Sequence, residues 1–441
     1  MQRKIIQVEE KVPILQGLPL SFQHLFAMFG ASVLVPLLFN GEAQRVSGDP
    51  TMQVIDPGLV LLLNGIGTLI YLFLCKGKAP AFLGSSFAFL SPAFAVIASS
   101  TDVKANFSKA LGGFILCGVI FIVTALIIGA VGTKWLDVVL PPATMGPIVA
   151  LIGLELASTA ATNAGLLPDP KTGAFDSKGV IIALVTLAIV VLGSLLFRGF
   201  MAVIPVLFAV VAGYALSAAM GYVDYEIINK KDWLVFPQLV FPTFEFNAML
   251  IIAPAALVVI SEHIGHLFVT GNIVGRDLIK DPGLHRSLLG DGISTALSGF
   301  TGSCPTTTYG ENMGVMAITR VYSVWVIGGA AVISIILAFI GKLSGVISSI
   351  PGPVMGGITI LLFGVIAASG IRMLVEAKVD YSKSRNLILT AIVFIVGLSG
   401  ISITIKTVPL KGMALATVVG MLLSLLFYIF DKLKLTNDAE A

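Results

Sequence analysis

Four ionisable side chains stand where an apolar chain should carry none. Glu262, His263 and His266 lie in the run Val258-Val-Ile-Ser-Glu-His-Ile-Gly-His-Leu-Phe268, and Glu311 follows Thr306-Thr-Thr-Tyr-Gly310. Glu262 and His266 are four residues apart, so on a helix they share one face, a turn apart. His263 points roughly 100° away from Glu262. An acid inside a membrane span is costly and marks a wet cavity or a binding face. The plainer alternative is a polar cluster that packs helices together. A metal site is a third reading, since all three are ligand types. The metalloprotease pattern, however, encloses Glu between two His at i, i+4, and here Glu precedes both.

Glu311 and Asn312 stand at the expected start of a helix. Capping alone would suit them, because Glu complements the helix dipole and Asn caps well. Ser or Thr could cap without bringing a charge into the membrane, so ligand binding is the favoured reading. Gln23 and His24 form a polar pair in the first span, open to either direct binding or a structural hydrogen bond. Phe87 and Tyr309 could stack on a flat ligand, although an aromatic in so apolar a chain usually serves the core. Glu155 stands alone in its span and reads as a structural or helix-end residue.

These residues need unusual elements to position them. Gly302–Gly314 is rich in Gly, Pro, Ser and Thr yet sits between apolar segments, and Ala79–Pro92 is a similar break in the first half. Irregular backbone survives at membrane depth only where it is buried in protein or lines a wet cavity. Short extended stretches followed by half-helices are expected at both breaks, with free N–H groups aimed at the middle.

The whole chain has the composition of a polytopic membrane protein. Its 441 residues are 56% hydrophobic and 12% charged, against about 25% charged in a soluble domain. Cys75, Cys117 and Cys304 lie far apart without disulfide or metal spacing and read as packing residues. The N-terminal stretch is polar and the first apolar segment is long enough to remain as a span, so no cleaved leader is expected. No phosphate-binding loop is present, which disfavours an ATP-driven pump.

Spans of about 20 apolar residues fall near 18–39, 57–75, 107–131, 138–157, 179–197, 201–221, 247–273, 322–341, 346–369, 386–401 and 411–430. With the less regular 80–98, 286–300 and 302–318, the expectation is an all-α protein of fourteen membrane segments, with extended stretches in segments 3 and 10. Most Lys and Arg residues fall on one side if both termini are cytoplasmic. The halves repeat each other in order: His24-Leu-Phe26 with His266-Leu-Phe268, Asn64-Gly-Ile-Gly-Thr68 with Asp291-Gly-Ile-Ser-Thr295, Gly84-Ser85 with Gly302-Ser303, and Gly112-Gly113 with Gly328-Gly329. Seven segments per half is odd, so the two repeats must be inverted. Inverted repeats with paired broken segments belong to secondary transporters, whose site lies where the breaks meet.

The motifs carry a family resemblance. Glu311-Asn-Met-Gly314-Val-Met-Ala-Ile-Thr319-Arg320, Gln23-His24 and Glu262-His-Ile-Gly-His266 together resemble the nucleobase–ascorbate transporter (nucleobase:cation symporter) family, in its bacterial uracil-permease branch. The resemblance implies a transporter, not an enzyme, that imports uracil by proton symport through alternating access. Xanthine or another base is the alternative substrate. It implies a core domain (residues 18–134 and 246–344) and a gate domain (135–245 and 345–432) in a homodimer. The setting would be a bacterial inner membrane, with both termini cytoplasmic, no cofactor and no nucleic-acid partner. Glu262 and Glu311 would hydrogen-bond the base, and backbone amides at Phe87 and Gly310 would meet its carbonyls. Phe87 and Tyr309 would line the pocket, Glu262 and His266 would couple the proton, and Gln23, His24, Ser86 and Asn312 would support them. Glu rather than Gln at 311 favours uracil over xanthine or urate. Phe363 stands where that branch is expected to have Tyr, which removes a hydrogen bond from that position. An anion carrier would call for a cationic midplane, whereas this one carries acids.

Overall fold

The computed structural model describes residues 5–168, 175–199, 201–405 and 408–436. The chain is built of helices, with two very small sheets. The principal helices are α1 (Ile14–Ser47), α2 (Pro57–Leu74), α3 (Leu90–Ile97), α4 (Val103–Val131), α5 (Pro142–Glu155), α6 (Ser177–Leu196) and α7 (Pro205–Ala219). The second half supplies α8 (Ala255–Val274), α9 (Leu284–Thr301), α10 (Gly310–Thr319), α11 (Val324–Ala338), α12 (Gly352–Glu376), α13 (Ser384–Leu398) and α14 (Gly412–Lys432). Short helices extend α5 and α8. With those extensions, eight helices among the described residues are long and apolar enough to cross a membrane, and the apolar helices Phe87–Ile97, α7, α11 and α13 are shorter.

Local chemistry sets several of the starts. Asp56, Asp102 and Asp176 each cap the helix that follows, accepting from Gly58, Ala105 and Gly179 amides. Such a carboxylate satisfies amides that have no intrahelical partner. Packing then follows small residues. Helix α9 lies along α4, with Gly118, Gly292 and Gly299 in the seam, where small side chains let backbones approach. Helix α2 packs on α9 and α11, and α1 on α11. In the other group, α12 packs on α5 and α6, α6 on α7, and α13 on α14 and α5.

The expected extended stretches in segments 3 and 10 are present. They are β1 (Leu83–Ser85) and β2 (Thr306–Thr308), paired antiparallel with Leu83 opposite Thr308 and Ser85 opposite Thr306. Ser86 N–H to Pro305 C=O (2.9 Å) and Tyr309 N–H to Phe82 C=O (3.0 Å) continue the ladder at either end. Each strand runs into a helical turn: β1 into the 3-10 turn Phe87–Phe89 and α3, and β2 into α10. Antiparallel pairing therefore sends the two half-helices in opposite directions from the two ends of one short ladder. A second hairpin, β3 (Ser402–Ile405) with β4 (Val408–Lys411), leads into α14.

The N-terminal arm is anchored to the far ends of the same elements. Ile6 exchanges backbone hydrogen bonds with Arg320 and Tyr322, and Val8 C=O accepts from Val324 N–H. Ser323 Oγ donates to Glu10 C=O at 2.6 Å. Glu9 forms a two-point ion pair with Arg276, just past the end of α8. Val8 is fully buried. The arm thus joins the end of α8 to the end of α10.

Candidate functional site

The two strands are held by one threonine each, at positions matched between the halves. Thr68, in α2, accepts from Leu83 N–H (2.9 Å) and donates to its C=O (3.4 Å). Thr295, in α9, makes the same pair of bonds with Thr306, both at 3.2 Å. Tyr309 crosses between the breaks: its hydroxyl donates to Ser85 C=O at 3.1 Å and lies 3.3 Å from Ser32 Oγ. Its ring covers Gly84, where a Cβ would fall 2.2 Å from Tyr309 Cζ. Only glycine fits beneath that ring, and Tyr309 is 4% exposed.

The three consecutive threonines of β2 are each read by an ionisable residue. Thr306 Oγ1 donates to Asp291 Oδ1 (3.0 Å). Thr307 Oγ1 donates to Glu262 Oε2 (3.3 Å). Thr308 C=O accepts from His266 Nδ1 at 2.8 Å, with Thr308 Oγ1 at 3.0 Å. A His Nδ1–H bound to a carbonyl leaves Nε2 as the acceptor. That Nε2 faces the start of α10, 3.9 Å from where a Cβ of Gly310 would sit. Glu311 occupies the first turn of α10. Glu262, His266, Gly310 and Glu311 are all half-buried, while Asn312 is fully buried. Glu262, His266, Gly310 and Glu311 supply two carboxylates, an imidazole nitrogen and the amide end of a helix.

Across from this cluster is the β1 side. Ser86 is fully buried and precedes the Phe87–Phe89 turn. Phe87 is 7% exposed and meets Phe363 of α12 edge-on, with centroids 5.7 Å apart and planes at 80°. Ser86 and Tyr309 amides are engaged in the ladder. Phe87 and Gly310 come next, at first-turn positions where an amide has no partner within its own helix. His24 and Asn312 are brought together: Asn312 Nδ2 donates to His24 C=O at 3.0 Å and to Nδ1 at 3.1 Å. His24, in α1, is thereby tied to α10. Gln23 is half-buried beside it.

Two features escaped the sequence reading. His263, directed away from Glu262, is fully buried in a network: Nδ1 lies 3.1 Å from Asp291 Oδ2, and Nε2 lies 2.6 Å from Ser287 Oγ, which in turn meets Tyr71 Oη at 3.0 Å. Asp291 was visible only as the counterpart of Asn64. Glu155 is the other: it has polar neighbours after all, Ser91 and the Met413 amide, and the latter fits the helix-end role. Among the described residues, no group of three His, Cys, Asp or Glu side chains could hold a metal ion.

Comparison with known proteins fits this arrangement. The sequence model described as "Permease family" matches residues 15–406. The uracil permease of Escherichia coli (strain K12) is 57% identical over 444 residues, covering 100% of this chain and 98% of the relative. The uracil permease of Paenibacillus larvae is 54% identical over 440 residues, covering 99% and 100%. In fold, the chain is similar to the murine Slc26a9 anion transporter in its inward-facing state, with TM-score 0.69 and 13% identity over 96% of this chain and 69% of that one. The transmembrane domain of the cyanobacterial bicarbonate transporter BicA aligns with TM-score 0.57 and 16% identity, covering 96% and 98%.

Proposed function

Because this chain belongs to that permease family, we propose that it imports uracil across a bacterial inner membrane by proton symport and alternating access. The supporting observation is that Glu262 and His266 both contact β2, while Glu311 sits in the first turn of α10, the helix that β2 runs into. Uracil is planar and neutral. Its N–H groups suit carboxylate acceptors, and its carbonyls suit first-turn amides such as those of Phe87 and Gly310. Full-length relatives named uracil permeases make uracil the first candidate among the bases.

The proton belongs to the Glu262–His266 face. A carboxylate moved between a wet and a dry setting changes its hold on a proton, so a cavity that changes sides could load it on one side and unload it on the other. One proton moving with a neutral base gains about 2.3 kcal/mol per 100 mV. The architecture suits such motion. Helices α1–α4 and α8–α11 pack mainly with one another, and α5–α7 and α12–α14 likewise, which supports a division into core and gate. Thr68 and Thr295 make equivalent bonds, which supports an inverted repeat of seven segments. A homodimer in the bilayer completes the reading.

The test is uptake of radiolabelled uracil by proteoliposomes. Uptake should rise several-fold with an inward proton gradient and collapse with a protonophore. Gradient-independent uptake would overturn the symport, and displacement of uracil by xanthine at equal concentration would overturn the choice of base.

A further inference from the structure

Glu155 is the acid that the transport reading leaves unused. It ends α5, in the gate group. Ser91 Oγ, in the first turn of α3 in the core group, donates to Glu155 Oε1 at 2.6 Å. The Met413 amide, at the start of α14, donates to Oε2 at 3.0 Å. One carboxylate therefore joins the two groups of helices, one oxygen to each. The approach is tight. Gly412 has φ +57°, and a Cβ there would fall 2.4 Å from Glu155 Oε1, so both its conformation and its lack of a side chain are required. A small cavity of about 30 Å³ adjoins the contact, with Ala95 and Ile251 on the core side and Lys411 and Ala414 on the gate side.

Ser91 is one turn beyond Phe87, at the end of the half-helix that points towards the ligand. We infer that Glu155 is a positioning residue for transport: it docks α3 onto the N-terminus of α14, and the Ser91–Glu155 bond opens whenever the core group moves against the gate group. The inference rests on the alternating-access reading above. The Met413 bond stays within the gate group and persists, so Glu155 travels with α14.

The reporter is Ala414→Cys in the full-length protein in detergent. Cys75, Cys117 and Cys304 are buried, so protein without the reporter gives the background. Ser91→Ala should speed modification of the reporter by a water-soluble thiol reagent about tenfold, the upper range of what one ordinary hydrogen bond makes in an equilibrium. It should alter the maximal uptake rate while leaving the uracil dissociation constant within about twofold. Glu155→Gln can still accept from Met413 and donate to Ser91 Oγ, and should keep the wild-type labelling rate. Unchanged labelling in Ser91→Ala, with the thermal midpoint kept, would overturn the docking role. Equal acceleration in Glu155→Gln would also overturn it, because the isostere keeps both bonds. Labelling is read without uracil, so failure of wild-type protein to bind uracil would sink the transport reading separately.

Discussion

Glu262 is held by Thr307 and Glu311 sits in the first turn of α10, and the proposed transport gives the two acids different tasks. Glu311→Ala should weaken uracil binding about 100-fold, the upper range for losing a hydrogen bond to a charged group, while the thermal midpoint changes little. Isothermal calorimetry on purified protein measures this, and wild-type affinity would remove Glu311 from the site. Glu262→Gln should bind uracil with no pH dependence and should exchange uracil without accumulating it in response to an inward proton gradient. The shared face of Glu262 and His266 was legible from their i, i+4 spacing. Their partners Thr307 and Thr308 were not, because those contacts span 45 and 42 residues and exist only once β2 is seated. Asp291 was hidden for the same reason: nothing local joins it to His263, 28 residues earlier.

At the scale of elements, the extended stretches were legible because Gly, Ser and Thr broke otherwise apolar runs. Their mutual pairing rested on the repeat. The N-terminal arm was not legible, since a short polar leader has no periodicity to read. It now appears as a tie between the ends of α8 and α10, the helices that carry Glu262 and Glu311. Glu9 lies outside the membrane segments, and its hydrogen bond to Arg276 holds its carboxyl below the usual value of 4.5. A depressed carboxylate stabilises the fold above its unfolded pKa and loses that effect as pH falls through the folded value. Glu9→Gln should therefore cost something at pH 7, and the cost should shrink as pH falls through the depressed folded pKa of Glu9 and vanish once Glu9 is protonated in both the folded and unfolded states. The pair is half-exposed, so the cost is at most about 1 kcal/mol. Thermal melts of wild type and Glu9→Gln across that range check it, and a gap that persists at low pH would contradict it.

For the whole molecule, composition and the ordered repeat made the polytopic helical fold and its broken segments readable. The Ser91–Glu155 contact was less so, because the two residues are brought together only by tertiary packing. Ala95 and Ala414 face one cavity from opposite groups. Joining cysteines at these positions with a short bifunctional reagent should stop uptake while preserving uracil binding. Continued uptake by the joined protein would argue against relative motion of the two groups. The sheet at the site also constrains how the protein is made. Its strands come from opposite halves of the chain, and Tyr309 bonds to Ser85 across 224 residues. At 5–20 residues per second of synthesis, β1 reaches the bilayer roughly 11–45 s before its partner exists. Unpaired backbone is intolerable in bare lipid for that long. The first broken segment must therefore wait at the translocon or be sheltered by α2 and α4, and the proposed site is among the last features of the protein to form.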